Sequence, residues 1–258
     1  MSELDIVIPV YNEGKSIIDV LEQLKKAVKT PFRILICYDD ERDNTLAALE
    51  GYDSSPVEIR LVKNRGRGAH GAILSGFRDS TASAVIMMPA DDTYNAGIID
   101  AMYQKFQQGC EIVVASRFVP GGRMEGCPWL KAALVRCAAF TLYYCARLPT
   151  RDASNGFRLF SRKVIDRIDV ESTQGFAYSL ELLVKCHRLG WPVAEVAALW
   201  IERTQGESRF KVLRWLPAYL RWYFYGFATT FLRRGADTVF LKEADSRPES
   251  SSIGCAHE

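Results

Sequence analysis

Three apolar runs in this sequence end in side chains that can handle charge. Residues 6–10 lead into Tyr11-Asn12-Glu13, residues 32–38 into Asp39-Asp40, and residues 84–88, through Pro89-Ala90, into Asp91-Asp92. Aspartate oxygens are hard ligands that hold magnesium or manganese on phosphate oxygens, and they also accept bonds from the free amides of a helix that follows. The ending in Asp91-Asp92 therefore reads either as a metal site or as a cap. A fourth stretch, Arg65-Gly66-Arg67-Gly68, has the glycines that let backbone approach a phosphate, with a helix start behind it that favours negative charge. The same four residues would also serve as a plain turn with solvated arginines.

Placing these groups requires elements that share a direction. Residues 6–10 are followed by Ile17, Ile18, Leu21, Leu24 and Val28 at helical spacing, and the unit recurs. Strands are predicted over 32–38, 57–62, 84–88 and 112–115, with helices around 45–49, around Ile73, Leu74 and Phe77, and over 98–106. Strands alternating with helices across about 116 residues imply a parallel sheet covered on both faces. Its strand ends share one edge, the place where open sheets of this kind bind ligands. Carboxylates gathered there repel unless a metal or basic side chains stand among them.

The chain has 258 residues, 48% hydrophobic and 25% charged, enough for one large core with a C-terminal appendage. Its net charge of +2 gives no reason to expect a nucleic-acid partner. Seven cysteines include no CxxC pair, and Cys37, Cys110 and Cys186 lie in apolar runs, so buried thiols in a reducing compartment are expected. The acidic N-terminus runs straight into a strand and does not read as a signal peptide. Neither His70 nor His187 falls in a motif.

The last third adds two short strands, 193–198 and 199–201, and a long helical stretch over 210–232. Trp215, Tyr219 and Trp222 recur at i, i+4 and i+7, with Arg214 and Arg221 on a neighbouring face and Lys211 and Arg233-Arg234 at the ends. Rings beside arginines suit a helix lying in the plane of an anionic lipid surface, and a core-packed or dimer-forming helix would show the same pattern. It is not a membrane span, because Arg214, Pro217 and Arg221 interrupt it. Residues 242–258 are rich in Ser, Glu and Asp, with few apolar groups, and are expected to be disordered.

Five stretches, in order, carry a resemblance. They are Ile6-Val7-Ile8-Pro9-Val10-Tyr11-Asn12-Glu13, Asn64-Arg65-Gly66-Arg67-Gly68, Ala115-Ser116-Arg117-Phe118-Val119-Pro120-Gly121-Gly122, Asp152-Ala153-Ser154-Asn155-Gly156-Phe157-Arg158 and Arg203-Thr204-Gln205-Gly206-Glu207-Ser208. Together they resemble the family-2 glycosyltransferases, most closely the branch of dolichol-phosphate mannose synthase and the bacterial polyprenyl-phosphate sugar transferases. The resemblance implies an α/β GT-A fold, Rossmann-like, with a mostly parallel sheet between helices over residues 1–209. An amphipathic helix over 210–234 and a disordered tail over 235–258 would follow. Two departures stand out. The family's DxD motif reads Pro89-Ala90-Asp91-Asp92, which leaves metal binding to Asp91, assisted by Asp92. The acidic Gly-Ser-Thr-Asp loop is replaced by residues 39–45, which keep an aspartate to accept a nucleobase N–H but do not reveal the base.

By the same resemblance, Pro9, Tyr11, Glu13, Asp39, Asp40, Arg67, Gly68, Ala90, Asp91 and Arg203 bind a nucleoside diphosphate sugar, with Mg2+ or Mn2+ as cofactor. Breaking the glycosidic bond puts negative charge on the diphosphate, which Asp91 with its metal, Arg203 and Arg209 would offset. The choice of acceptor can be argued from proton bookkeeping. A sugar hydroxyl needs a general base, for which Asp152 or Glu181 is the candidate, whereas a phosphate monoester is already ionised. Arg117, Arg123 and Arg136 could surround an anionic acceptor head, with an apolar helix over 132–146 as a greasy wall. The expectation is an inverting transferase that uses a polyprenyl phosphate acceptor, peripheral at the cytoplasmic face of a membrane, with a homo-oligomer compatible. Its rivals are transfer to a hydroxyl of a glycan or glycolipid, and a non-catalytic nucleotide-sugar binder.

Overall fold

In this computed structural model, residues 3–202 and 212–242 are described, without the side chains of 212–215. The apolar runs form strands β1 (Leu4–Pro9), β2 (Phe32–Tyr38), β3 (Glu58–Lys63), β4 (Ala84–Met87) and β5 (Ile112–Ser116). Helices α1 (Ser16–Ala27), α2 (Asn44–Leu49), α3 (Gly68–Asp79) and α4 (Ile99–Gln107) connect them. The chain continues through β6 (Arg123–Glu125), α5 (Trp129–Tyr144), β7 (Arg158–Ser161), α6 (Arg162–Arg167), α7 (Ala177–Arg188), β8 (Val193–Ala197), β9 (Leu199–Ile201) and α8 (Val212–Phe231). Seven strands pair in the order β3-β2-β1-β4-β7-β5-β8, and β6 pairs with β9 in a separate ribbon.

The sheet is parallel apart from β7, which runs antiparallel between β4 and β5. The alternating pattern of the first 116 residues does not foretell this strand. Four residues are too few to show a period, and this run begins on an arginine. Because β7 runs backwards, its first residue lies at the same edge as the last residues of its neighbours. The segment 152–157 is thereby delivered to the edge where the polar loops gather.

Successive residues of a strand face opposite sides. Ile6 and Ile8 pack with Ile17 and Leu21 of α1 and Met102 of α4, while Val7 and Leu35 pack with Ile73 and Phe77 of α3 and Tyr178 of α7. α3 lies close on the sheet because Gly76 has no side chain: a Cβ there would meet Val7 Cγ1 at 2.6 Å and Cys37 Sγ at 2.8 Å.

A third cluster joins α5, α7 and α8 and corrects the reading of the last helix. Trp222 is 1% exposed, packed with Leu142, Leu180 and Val184, and Lys185 stands 5.0 Å from its ring. Tyr219 borders the same cluster. The aromatic stripe expected to face lipid therefore faces protein along the part that is described; α7 offers an apolar partner, and packing against it removes the rings from water. The face left outside carries Leu216, Leu220, Phe224 and Phe231. Among the described residues no helix is long and apolar enough to cross a membrane. Arg203, Glu207, Arg209, Lys211 and residues 243–258 of the expected tail lie outside the described residues, as do the side chains of Arg214 and Trp215, whereas 235–242 are folded, with a turn at Ala236–Thr238 and a bridge from Leu241 to Ile168.

Candidate active site

The loops after β1, β2, β3, β4 and β5 share the carboxyl edge of the sheet, and strand order reverses about β1, whose neighbours are β2 and β4. That reversal opens a crevice in which the expected residues can be located one by one.

On one side, hydrogen bonds within the loops hold the acidic residues. Asp43, at the cap of α2, accepts from the Asn12 N–H at 3.0 Å and the Thr45 N–H at 2.9 Å, while Thr45 Oγ1 accepts from the Glu13 N–H at 3.0 Å. These bonds pin Tyr11 and Glu13, just past Pro9, against the second strand's loop, with the Tyr11 ring 54% exposed. Sequence reasoning passed over Asp43 as a site residue, although an Asp directly before an Asn-Thr helix start is an N-cap signal. Asp40 is exposed and grips Arg42 at 2.7 Å, which holds its carboxyl well below the usual range.

The glycine loop corrects one expectation. Asp39 is half-buried; its carboxylate accepts from the Asn64 side-chain amide and, at 2.8 Å, from the Gly68 N–H that opens α3. The Gly66 N–H is taken by Asn64 Oδ1 at 2.7 Å, and Arg65 turns back to Asp79 at 2.6 Å. The loop is thus closed around the protein's own carboxylate rather than open to a phosphate, which Asp39 would repel. Gly68, with φ +62, and exposed Arg67 remain as its outer rim.

After β4 the two adjacent aspartates divide. Asp92 Oδ1 accepts from the N–H groups of Tyr94 and Asn95, both at 3.0 Å, and Oδ2 from Asn95 Nδ2 at 2.7 Å. Burial raises its carboxyl pKa in spite of those bonds. Asp92 is therefore spent on the turn, which corrects its assignment as a second metal ligand. Asn95 also binds both the N–H and the C=O of Leu199, tying this loop to β9, a role with no signal in the sequence. Asp91 is exposed at the crevice beside buried Ala90. Among the described residues no three His, Cys, Asp or Glu side chains gather as a metal cage. One exposed carboxylate suits a magnesium or manganese ion whose other ligands are phosphate oxygens and water.

Across the crevice, Asp152 is fully buried. Its Oδ2 accepts from the Arg117 N–H at 2.9 Å and Nε at 2.7 Å, and its Oδ1 from Arg117 Nη2 at 2.8 Å. Burial pushes its pKa up, but the bonds and charge of Arg117 outweigh it and leave the pKa lowered. A carboxylate so enclosed is a poor base, and Asp152 acts instead as the holder of Arg117. Glu181 is equally engaged, with Lys185 and the N–H groups of Glu171 and Ser172. His70 is buried and His187 half-buried, each with its pKa lowered by burial.

The three arginines expected around an acceptor separate. Arg117 is locked below the surface, with its guanidinium 5.2 Å from the Phe118 ring and 6.0 Å from Trp200. Arg123 is exposed beside Glu125 at 3.7 Å. Only Arg136 lines a cleft of about 580 Å³ walled by Phe118, Val119, Pro120, Phe140, Tyr143 and Tyr144. Arg151, which the sequence did not single out, joins it there with its guanidinium 5.3 Å from the Tyr143 ring. The wall turns sharply at Gly122, where a Cβ would lie 2.9 Å from the Arg117 carbonyl carbon.

Residues 5–169 match the family described as Glycosyl transferase family 2. The chain is 24% identical over 231 residues to the dolichol-phosphate mannosyltransferase of Pyrococcus furiosus, a match that covers 85% of this chain but only 64% of that protein. It is 24% identical over 227 residues to the polyprenol monophosphomannose synthase of Mycolicibacterium smegmatis, covering 81% of this chain and 85% of that one. Among solved structures, glucosyl-3-phosphoglycerate synthase of Mycobacterium tuberculosis superposes with a TM-score of 0.61 at 14% identity, over 86% of this chain and 80% of the other. The same enzyme with Mn2+, UDP-glucose and phosphoglyceric acid gives 0.59 at 14% identity, over 88% and 79%. The fold, the loops gathered at one sheet edge and a family match over well more than half its length agree: this chain belongs to glycosyl transferase family 2 and has a GT-A-like fold.

Proposed function

We propose that the chain transfers a sugar, with inversion, from a nucleoside diphosphate sugar to a polyprenyl phosphate at the cytoplasmic surface of a membrane. The observation that carries this reading is the cleft beside the crevice. Two arginines, neither ion-paired to a carboxylate among the described residues, stand among aromatic rings, as a ligand with an anionic head and an apolar tail requires.

In this reading the nucleotide lies against Tyr11, Asp39 and the rim at Arg67 and Gly68, with its diphosphate near Asp91. A bound Mg2+ or Mn2+, as in the complexes of the M. tuberculosis enzyme, would put positive charge on the leaving diphosphate. Asp91 would hold that ion, and Arg203, from the segment outside the described residues, would add a guanidinium. An acceptor phosphate oxygen attacks the anomeric carbon on the face away from the diphosphate, so one C–O bond forms as the other breaks. The attacking oxygen is already ionised, so no side chain has to take a proton.

Lipid contact is supported by apolar surface on two helices. Trp129 is 80% exposed and Leu134 61% on α5, and Phe224 63% on α8, with Arg136 and Arg221 also exposed. The names of the P. furiosus and M. smegmatis relatives point to the same acceptor class.

The second reading is transfer to a hydroxyl. The solved-structure likenesses favour it over the first, since phosphoglyceric acid occupies the M. tuberculosis enzyme alongside its nucleotide sugar. It lacks a base among the candidates named above, because Asp152 and Glu181 are both bonded. The test is incubation with Mg2+ or Mn2+, a panel of nucleotide sugars, and either polyprenyl phosphate or hydroxyl acceptors such as phosphoglycerate and glycolipids. A lipid-phosphate-linked sugar by mass spectrometry, lost in Asp91→Ala, is expected. Product on hydroxyl acceptors alone installs the second reading, and nucleotide binding without turnover on any acceptor removes both.

A further inference from the structure

Arg158, at the start of β7, is fully buried and bonds no carboxylate among the described residues. Its Nη1 donates to the Ser179 C=O at 2.5 Å, and its Nη2 to the C=O groups of Ala153 at 2.6 Å and Asp152 at 3.4 Å, while its Nε has no partner. Burying a cation with only carbonyl partners is costly. The tie between α7 and the 152–153 turn does not by itself need a formal charge, since neutral donors could bridge the same carbonyls.

The surroundings indicate what the charge does. The Asp152 carboxylate is held bidentately by Arg117, and Arg158 reaches Asp152 only through its backbone C=O. Glu195 of β8, which also reaches this turn, is half-buried; it accepts from Thr150 Oγ1 and the Arg151 N–H and bonds neither guanidinium. The cluster of Arg117, Asp152 and Arg158 therefore keeps one positive charge in excess. Burial lowers the Arg158 pKa to about 10, against the attraction of Asp152, so the group stays cationic at neutral pH. Immediately above the cluster, Ser154 Oγ accepts from Arg117 Nη2 at 2.6 Å, and Phe118 to Pro120, which follow Arg117, form a wall of the aromatic cleft.

We propose that Arg158 is an electrostatic positioning residue: as the unshared cation of a buried arginine-aspartate-arginine cluster, it biases the adjoining cleft toward phosphate-bearing ligands without touching them. This rests on the reading that the cleft takes an anionic acceptor. In a low-dielectric interior an unscreened charge acts beyond the groups it touches, whereas an exposed one would be damped by water and salt.

The experiment compares the binding of decyl phosphate and decanol by the wild-type chain and by Arg158→Met, Arg158→Gln and Arg158→Lys. Each ligand presents the same tail, so the ratio of the two affinities isolates the charge. The phosphate preference is expected to fall about tenfold in the Met and Gln variants and to stay within about twofold of wild type in the Lys variant. Equal weakening of both ligands in the neutral variants, or an unchanged ratio, overturns the proposal in favour of packing. Should neither neutral variant fold, the Lys variant decides: it keeps the charge but lacks the spread fork with which the guanidinium reaches separate carbonyls, so a lost preference overturns the proposal, and a kept preference alongside reduced thermal stability supports it. Failure of the acceptor reading is seen separately, as a wild-type chain that binds decyl phosphate no better than decanol.

Discussion

A carboxylate at a strand end can hold a metal, cap a turn or fix an arginine, and its neighbours decide which. Asp92 has three donors from the turn ahead of it, and Asp152 has a guanidinium and its backbone N–H; Asp91, beside them in type, stands exposed at the crevice. Two predictions follow these assignments. Asp91→Asn is expected to lower kcat by about two orders of magnitude or more with little change in stability, as a metal-binding carboxylate should. Asp152→Asn is expected to cost about 3–5 kcal/mol in urea denaturation, because it leaves Arg117 buried without its partner. A stable Asp152→Asn protein that had lost only turnover would return Asp152 to the role of base.

Elements decide which face of a residue pattern matters. The stripe Tyr219–Trp222 and the stripe Leu216–Leu220–Phe224 run along the same helix, yet the first is packed on α7 and α5 and the second is exposed. Trp222→Ala should therefore destabilise the fold by about 3–5 kcal/mol. Phe224→Ala should leave stability within about 0.5 kcal/mol of wild type but weaken sedimentation with vesicles containing anionic lipid. Equal vesicle binding by the two chains removes α8 from the lipid contact. At the sheet, Gly76→Ala is expected to cost about 1–3 kcal/mol, since α3 must lift off Val7 and Cys37 to admit a methyl group.

At the scale of the molecule, burial of two imidazoles makes stability depend on pH. His70 and His187 both have pKa values lowered by burial, so the unfolded chain takes up their protons more readily than the folded one. Their contribution is complete above the unfolded value of about 6.5 and is lost as pH falls below it. The urea midpoint is expected to drop between pH 7.5 and 5.5, and a flat profile would mean that both rings stay hydrated in the fold. Asp152 acts in a lower window: its lowered pKa stabilises the fold above about pH 3.9, and that contribution disappears as acid protonates it.

Much of this could be read from order and pattern alone. Apolar runs ending in polar loops, repeated with helices between them, determine a mostly parallel sheet with its chemistry at one edge, because hydrophobic period and chain direction are local properties. The β7 strand, the pairing of Arg136 with Arg151, the closure of the glycine loop on Asp39 and the burial of Trp222 were decided only in three dimensions. Each depends on which partner arrives from a distant part of the chain. A sequence names a donor or an acceptor, and only tertiary structure says whether its bonds are already taken.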